Sequence, residues 1–200
     1  MKSSIAARPS PFSSLFAVAC AVAFVACSEV PRRRGEAVQT VASDKLATDS
    51  PVEVVVAPIE NATGNSGVPL AMLRDAFQQG LVRRRYSPLA LEYVDRKVVD
   101  ATYAPGSLQE QAVLLVNIET WDTSLFETRG ALVVKARARL VDARNPANGQ
   151  LWSGAVDHRF DLEAEREKFS TSETFLRYAC GQVADEILAA LPARNTAPGG

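Results

Sequence analysis

The chain is poor in the residues that most enzymes and metal sites are built from: one histidine, His158, and three cysteines in 200 residues. With no second histidine and no cysteine near it in sequence, His158 cannot complete a common zinc site or a Ser-His-Asp arrangement. Asp and Glu are scattered, and none marks a cleft for acid and base work. Charge of one sign is also lacking. The 22 Lys and Arg against 23 Asp and Glu give a net charge of −1, which offers no overall field for nucleic acid. A phosphate loop is missing too, although VEVVVAPIENATGNSGVP (52–69) has the order strand, Gly-bearing loop, helix. A Walker loop needs Lys and Ser or Thr at the helix start, where this chain has Val68 and Pro69. The dinucleotide version needs three glycines, and only Gly64 and Gly67 are present. Two readings remain: an anion resting on the amides at the helix start, or a loop whose Asn and Gly simply turn the chain. No countercharge is supplied, which favours the second.

What is present begins at the N-terminus. Residues 1–26 have the three regions of an export signal: Lys2 and Arg8, an apolar run from Phe12 to Ala26, and small residues at its end. The run is too short and too N-terminal for a spanning helix. Cys20 is followed by apolar AVAFVA and Cys27 by SEVPRRR, which prefers water. This resembles a bacterial lipoprotein signal with Cys27 as the acylated first mature residue. The alternative is a cleaved secretory signal that leaves Cys27 free. Two acyl chains hold firmly where one only visits, since each buried methylene is worth about 0.8 kcal/mol. By the same resemblance, Ser28 in place of Asp after the cysteine implies sorting to the outer membrane, facing the periplasm. Removing the signal takes away Lys2 and Arg8 and no acid, so the net charge falls by two to −3. Acylation leaves Cys180 as the remaining thiol, so no internal disulfide forms.

Residues 27–50 are polar, with Arg32, Arg33 and Arg34 in a row, and read as the lipidated cysteine and a flexible tether spanning at most about 80 Å. The Arg run is too brief for a polybasic lipid-binding cluster. Residues 51–191 read as a single α/β domain, and 192–200 as a frayed tail. Val52 to Ala57 predicts a strand covered on both faces. Leu70, Leu73, Phe77 and Leu81 predict a helix, capped by Ser66 or Gly67. YSPLALEYVD predicts a second strand, parallel to the first, and SLQEQ a short helix. Three strands follow, over Ala112 to Trp121, Ala131 to Ala143 and Leu151 to Leu162, as an antiparallel meander with one wet face. Ser170 and Glu173 form a capping box for a last helix with the stripe Leu176, Cys180, Val183, Ile187 and Leu191, which covers the sheet. The fold class is therefore a mixed-sheet α/β domain, a β-α-β unit followed by the meander.

The most suggestive surface feature is the row Lys135, Arg137 and Arg139 on the outward face of the middle meander strand. It could meet an anionic partner. The competing reading pairs these cations with Glu119 and Asp157 on neighbouring strands. By parity His158 falls on the covered face, as a satisfied core or edge histidine. Cys180 falls in the helix stripe, as a small buried hydrophobe. No cofactor or metal is implied.

In combination, VVVAPIENATG, LRDAFQQGLVRR, AVLLVNIETWD and ARLVDARNPANGQLWSGAV resemble a family of periplasmic lipoproteins, across Val52 to Leu191. Its relatives are the lipoprotein activator of penicillin-binding proteins, the curli-secretion lipoprotein and the N-terminal domain of the Tol system's periplasmic protein. The resemblance implies a non-catalytic α/β domain that acts by contact with envelope protein partners, often as a homo-oligomer. DTSLFETRG, between the first two meander strands, is too short for the membrane hairpins of a pore, whose strands need about 9–11 residues each. The expectation is an outer-membrane-anchored binding or assembly module. Regulation of a peptidoglycan synthase and a periplasmic hydrolase stand as alternatives.

Overall fold

The computed structural model describes residues 41–42, 44–98, 103–147 and 149–194. The segment read as the signal, Cys27, the tether as far as residue 40 and residues 195–200 lie outside the described residues. Strand β1 (Val41–Ala42) and helix α1 (Asp44–Asp49) lead into β2 (Glu53–Val56), β3 (Glu60–Asn61), α2 (Leu70–Arg83), β4 (Ser87–Pro88) and α3 (Leu91–Val98). Then come β5 (Ala112–Asp122), α4 (Phe126–Arg129), β6 (Ala131–Asp142), β7 (Gln150–Asp161), α5 (Glu163–Arg166) and α6 (Ser172–Leu188).

One sheet runs in the order β1-β7-β6-β5-β2-β4, with β3 beside β5. β2 is parallel to β4 and β5, while β5, β6 and β7 form an antiparallel meander. This is the mixed α/β architecture that the alternating and continuous apolar runs predict.

Period-2 alternation sets the two faces. On β6, Leu132, Val134, Ala136, Ala138 and Leu140 are fully buried, while Lys135, Arg137 and Arg139 take the opposite side. The apolar side packs against α2 and α6. Helix α6 turns Ala179, Cys180, Val183 and Ile187 inward, each with no exposed surface. Burying one such aliphatic side chain is worth about 1.5–3 kcal/mol, so this layer carries much of the stability. On the far side a smaller cluster of Ala57, Val113, Val141 and Ala143 lies beneath Tyr103 and Leu115.

Four local expectations are corrected. YSPLALEYVD holds only a two-residue strand, Ser87–Pro88, parallel to β2 as expected, and its second half, Leu91–Asp95, is helix. Pairing with β2 stops after Ser87 and Pro88, and Leu91 and Val94, three apart, begin α3, with Glu92 in its first turn and Arg96 and Lys97 in its last. SLQEQ lies in a turn, because the Glu110 carboxylate takes the amides of Gly106 and Leu108 at 2.7 and 2.8 Å and closes the chain on itself. The caps also shift. Pro69 precedes α2 with no side-chain cap, and Thr171 caps α6 by accepting from the Thr174 amide at 3.2 Å, while Glu173 pairs with Arg177 instead. Finally, residues 41–49, read as tether, belong to the domain. Val41 pairs with Ser153 on β7, Leu46 is buried, and Lys45 lies 3.6 Å from Asp142.

Candidate functional site

Because α2 and α6 cover one side of the meander, its other side is left open as a groove of about 850 Å³. β5, β6 and β7 form its floor, and Pro58 and Glu60 stand at the β5 side. Small side chains, Ser153 and Ala155, keep β7 low. The strand register arranges the floor in rows: Leu115 opposite Arg139 opposite Ser153, then Asn117 opposite Arg137 opposite Ala155, then Lys135 opposite Asp157.

The three cations of β6 thus share one groove, but their surroundings differ. Lys135 Nζ lies 3.5 Å from both Glu119 Oε2 and Asp157 Oδ2. Arg137 Nε donates to Glu119 Oε1 at 2.9 Å. Glu119 serves both because it sits at a register shift between Ile118 and Thr120, and a bulge of that kind re-aims a side chain. Exposed pairs of this sort are worth about 0–1 kcal/mol each, so they neutralise the face more than they hold it. Arg139 has uncharged neighbours in its row, and among the described residues no carboxylate lies within 4.0 Å of it. Asn117, on the floor beside Arg137, keeps its Oδ1 buried with no hydrogen-bond partner. Parity in the sequence places the cations here. It does not single out Arg139, Asn117 or Ser153, whose placement depends on register.

The loop before α2, Glu110, Asp142 and His158 make polar contacts within the fold. The loop from β3 to α2 turns its Asn and Thr side chains on its own backbone. Asn61 Oδ1 accepts from the Thr63 amide at 3.1 Å, Thr63 Oγ1 from the Asn65 amide at 2.9 Å, and Asn65 Oδ1 from the Gly67 amide at 2.8 Å. The turn reading of this stretch therefore holds, and these amides are not offered to an anion. Glu110 is buried. Burial pushes its carboxyl up, but hydrogen bonds from Tyr103 Oη and from backbone amides outweigh that and leave it below the ordinary range. Burial likewise pushes the Tyr103 hydroxyl strongly up.

Asp142 follows the same pattern as Glu110. Burial raises it, but the Arg144 amide and the charges of Arg144 and Lys45 outweigh that and leave it below the ordinary range. Cys180 is a buried thiol pushed up to about 12 by burial, the inert state expected of a small hydrophobe. His158 is half-buried, with Nε2 3.3 Å from Glu186 Oε1 on α6 and its ring 4.5 Å from that of Phe160. That is the satisfied edge histidine its parity predicts. Among the described residues no group of three or more His, Cys, Asp or Glu comes together to hold a metal ion, and no helix is long and apolar enough to cross a membrane.

No protein-family model matches the chain, and no curated protein matches it. Solved structures do. A point variant of the PelC dodecamer from Paraburkholderia phytofirmans is 18% identical, covers 79% of this chain and 100% of its own, and superposes with a TM-score of 0.51. The PelC dodecamer from the same organism in a second crystal form is 18% identical, with coverage of 79% and 98% and a TM-score of 0.50. Lipoprotein GNA1162 from Neisseria meningitidis is 22% identical, with coverage of 68% and 99% and a TM-score of 0.46. The likeness to PelC extends over the domain and establishes a shared fold.

Proposed function

We propose that this chain is a lipoprotein held by Cys27 at the periplasmic face of the outer membrane, where its domain works by contact, as a binding and assembly module without catalysis. The observation that carries this reading is the division of the sheet. Helices cover one face, and the other is left open as a broad charged groove with its cations largely neutralised in place. A surface of this kind suits docking. The titratable groups agree, because the buried carboxyls of Glu110 and Asp142 are held ionised by hydrogen bonds within the fold and the Cys180 thiol is pushed away from its reactive form. A general base or nucleophile needs the opposite tuning.

Anchorage rests on the apolar run before Cys27 and the polar chain after it. Since the domain already begins by Val41, the 13 residues 28–40 span at most about 45 Å. A partner close to the outer membrane is therefore favoured over one across the cell wall, which weighs against activation of a distant peptidoglycan synthase. The PelC structures that share the fold are dodecamers, and this chain is proposed to self-associate as well.

The test is metabolic labelling with palmitate together with membrane fractionation. The wild-type chain is expected to take up label and to sediment with outer membranes. Cys27→Ser should lose both, and label that persists on the serine variant would overturn the anchor. Photo-crosslinkers at Ala155 in the groove and at Gln79 on α2 then separate the faces. Crosslinks from Gln79 alone would overturn the groove as the contact surface.

A further inference from the structure

We propose that the groove of β5, β6 and β7 receives an acidic, extended peptide segment of a partner protein, with Arg139 as its anchoring cation. This rests on the contact reading above and names the chemistry of the partner at that surface.

Charge comes first. Lys135 and Arg137 are met by Glu119 and Asp157, so their half of the groove has no net attraction to offer. Arg139 is placed differently, between Leu115 and Ser153 in register. Among the described residues its guanidinium is the groove cation with no carboxylate within 4.0 Å, and Glu60, the third groove carboxylate, stands at the β5 side beside Asn117 in the Arg137 row. A planar guanidinium pairs best with a planar carboxylate, through two parallel hydrogen bonds. The protein as a whole is acidic, so long-range attraction does not draw polyanions to it, and binding at Arg139 depends on local fit.

Shape gives the second argument. Lys135, Arg137 and Arg139 lie on alternate residues of a strand, which puts about 13 Å between the first and the last. A peptide in extended form has the same repeat, and Ser153 and Ala155 leave room for it along β7. Hydrogen-bonding character gives the third. Asn117 holds an acceptor without a donor, and Ser153 and Gln150 add polar groups at the Arg139 end. A peptide brings backbone N–H groups at each residue to such a floor. A sugar chain would bring hydroxyls, but sugars are usually held by an aromatic face, and no aromatic side chain lines this groove among the described residues.

The test uses the full-length lipidated protein in detergent and a fluorescein-labelled hexapeptide of alternating Asp and Ser, followed by anisotropy. Oligogalacturonate and phosphatidylglycerol vesicles serve as competitors of other classes. The peptide is expected to bind, with affinity falling as salt is raised. Arg139→Gln should weaken it at least tenfold with an unchanged melting temperature. Arg139→Lys should recover part of the loss, and Lys97→Gln, on exposed α3, should change nothing. Equal affinity in Arg139→Gln, no binding of the peptide, or stronger binding of oligogalacturonate or vesicles would overturn the proposal. If crosslinks from Ala155 still form in cells while the peptide fails, the groove remains the contact surface and only the acidic-peptide assignment falls.

Discussion

Gly154 on β7 lies so close beneath α6 that a Cβ atom there would stand 2.6 Å from the carbonyl oxygen of Ile187 and 2.5 Å from the Trp152 ring. The absence of a side chain is what lets the last turns of the helix rest on the strand. Gly80, on α2, has a neighbour just as near, but that neighbour is the flexible end of Leu188, at 2.6 Å. The two glycines should therefore respond in opposite ways. Gly154→Ala is expected to cost about 1–3 kcal/mol through overpacking, a fall in melting temperature of roughly 2–4 °C for each of them. Gly80→Ala removes a helix-interior glycine, worth about 1 kcal/mol in its favour, and is expected to be neutral or mildly stabilising. Thermal unfolding of the two variants decides it, and equal losses would show that the close approach of α6 is not rigid.

Glu110 closes the loop between α3 and β5 over the smaller apolar cluster, and it does so as an anion. Hydrogen bonds to a charged acceptor contribute about 1.5–3 kcal/mol, so Glu110→Gln should lose roughly that much at pH 7. The pH dependence has a definite sign. Because the folded carboxyl sits below its ordinary value of 4.5, its contribution is complete above pH 4.5 and disappears as the pH falls through the lowered folded value. Urea midpoints for wild type and variant should therefore converge on acidification below pH 4.5. A difference that stays constant would mean that the charge is not what holds the loop.

The meander was legible because period-2 alternation over long strands is a strong signal, and the faces of β6 followed directly from it. The β4 to α3 region was not, since YSPLALEYVD is rich in residues that suit either state. Only Pro88 and the position of β2 decide where pairing ends. The groove was half visible. Parity put Lys135, Arg137 and Arg139 on one face beside Glu119 and Asp157, but which cation each acid reaches depends on the bulge at Glu119, and a bulge has no sequence mark here. Arg139 stood apart only once the register had aligned it with Leu115 and Ser153.

The N-terminal boundary is a further case where composition misled. Residues 41–49 are polar enough to pass for tether, yet Leu46 is only 6% exposed and Lys45 meets Asp142, itself buried. Leu46 is the single large apolar side chain of α1, and one such residue gives no periodicity to detect. Leu46→Ala is expected to cost about 2 kcal/mol, at the low end for a buried leucine because α1 lies at the sheet edge. Chemical denaturation of the full chain measures it. A loss below about 0.5 kcal/mol, the usual scatter for surface changes, would return this helix to the tether.

Replacing Lys135, Arg137 and Arg139 together by Ser separates support of the fold from recognition. The pairs that Lys135 and Arg137 make are solvent-exposed, with side chains 39% and 64% accessible, and pairs of this kind contribute about 0–1 kcal/mol each. Among the described residues Arg139 makes no ion pair to lose. The triple variant should therefore stay folded with a stability loss under about 2 kcal/mol, while crosslinking from Ala155 in cells should fall away. Single changes divide the effect further. Arg139→Ser should reproduce most of the loss in crosslinking at almost no cost in stability. Lys135→Ser should lower crosslinking less, because Arg139 stays in place and Arg137 still holds Glu119, and its exposed pairs put the stability cost within about 0–1 kcal/mol each. If Lys135→Ser and Arg139→Ser abolish crosslinking equally, the charge of the whole row matters and the register that isolates Arg139 does not.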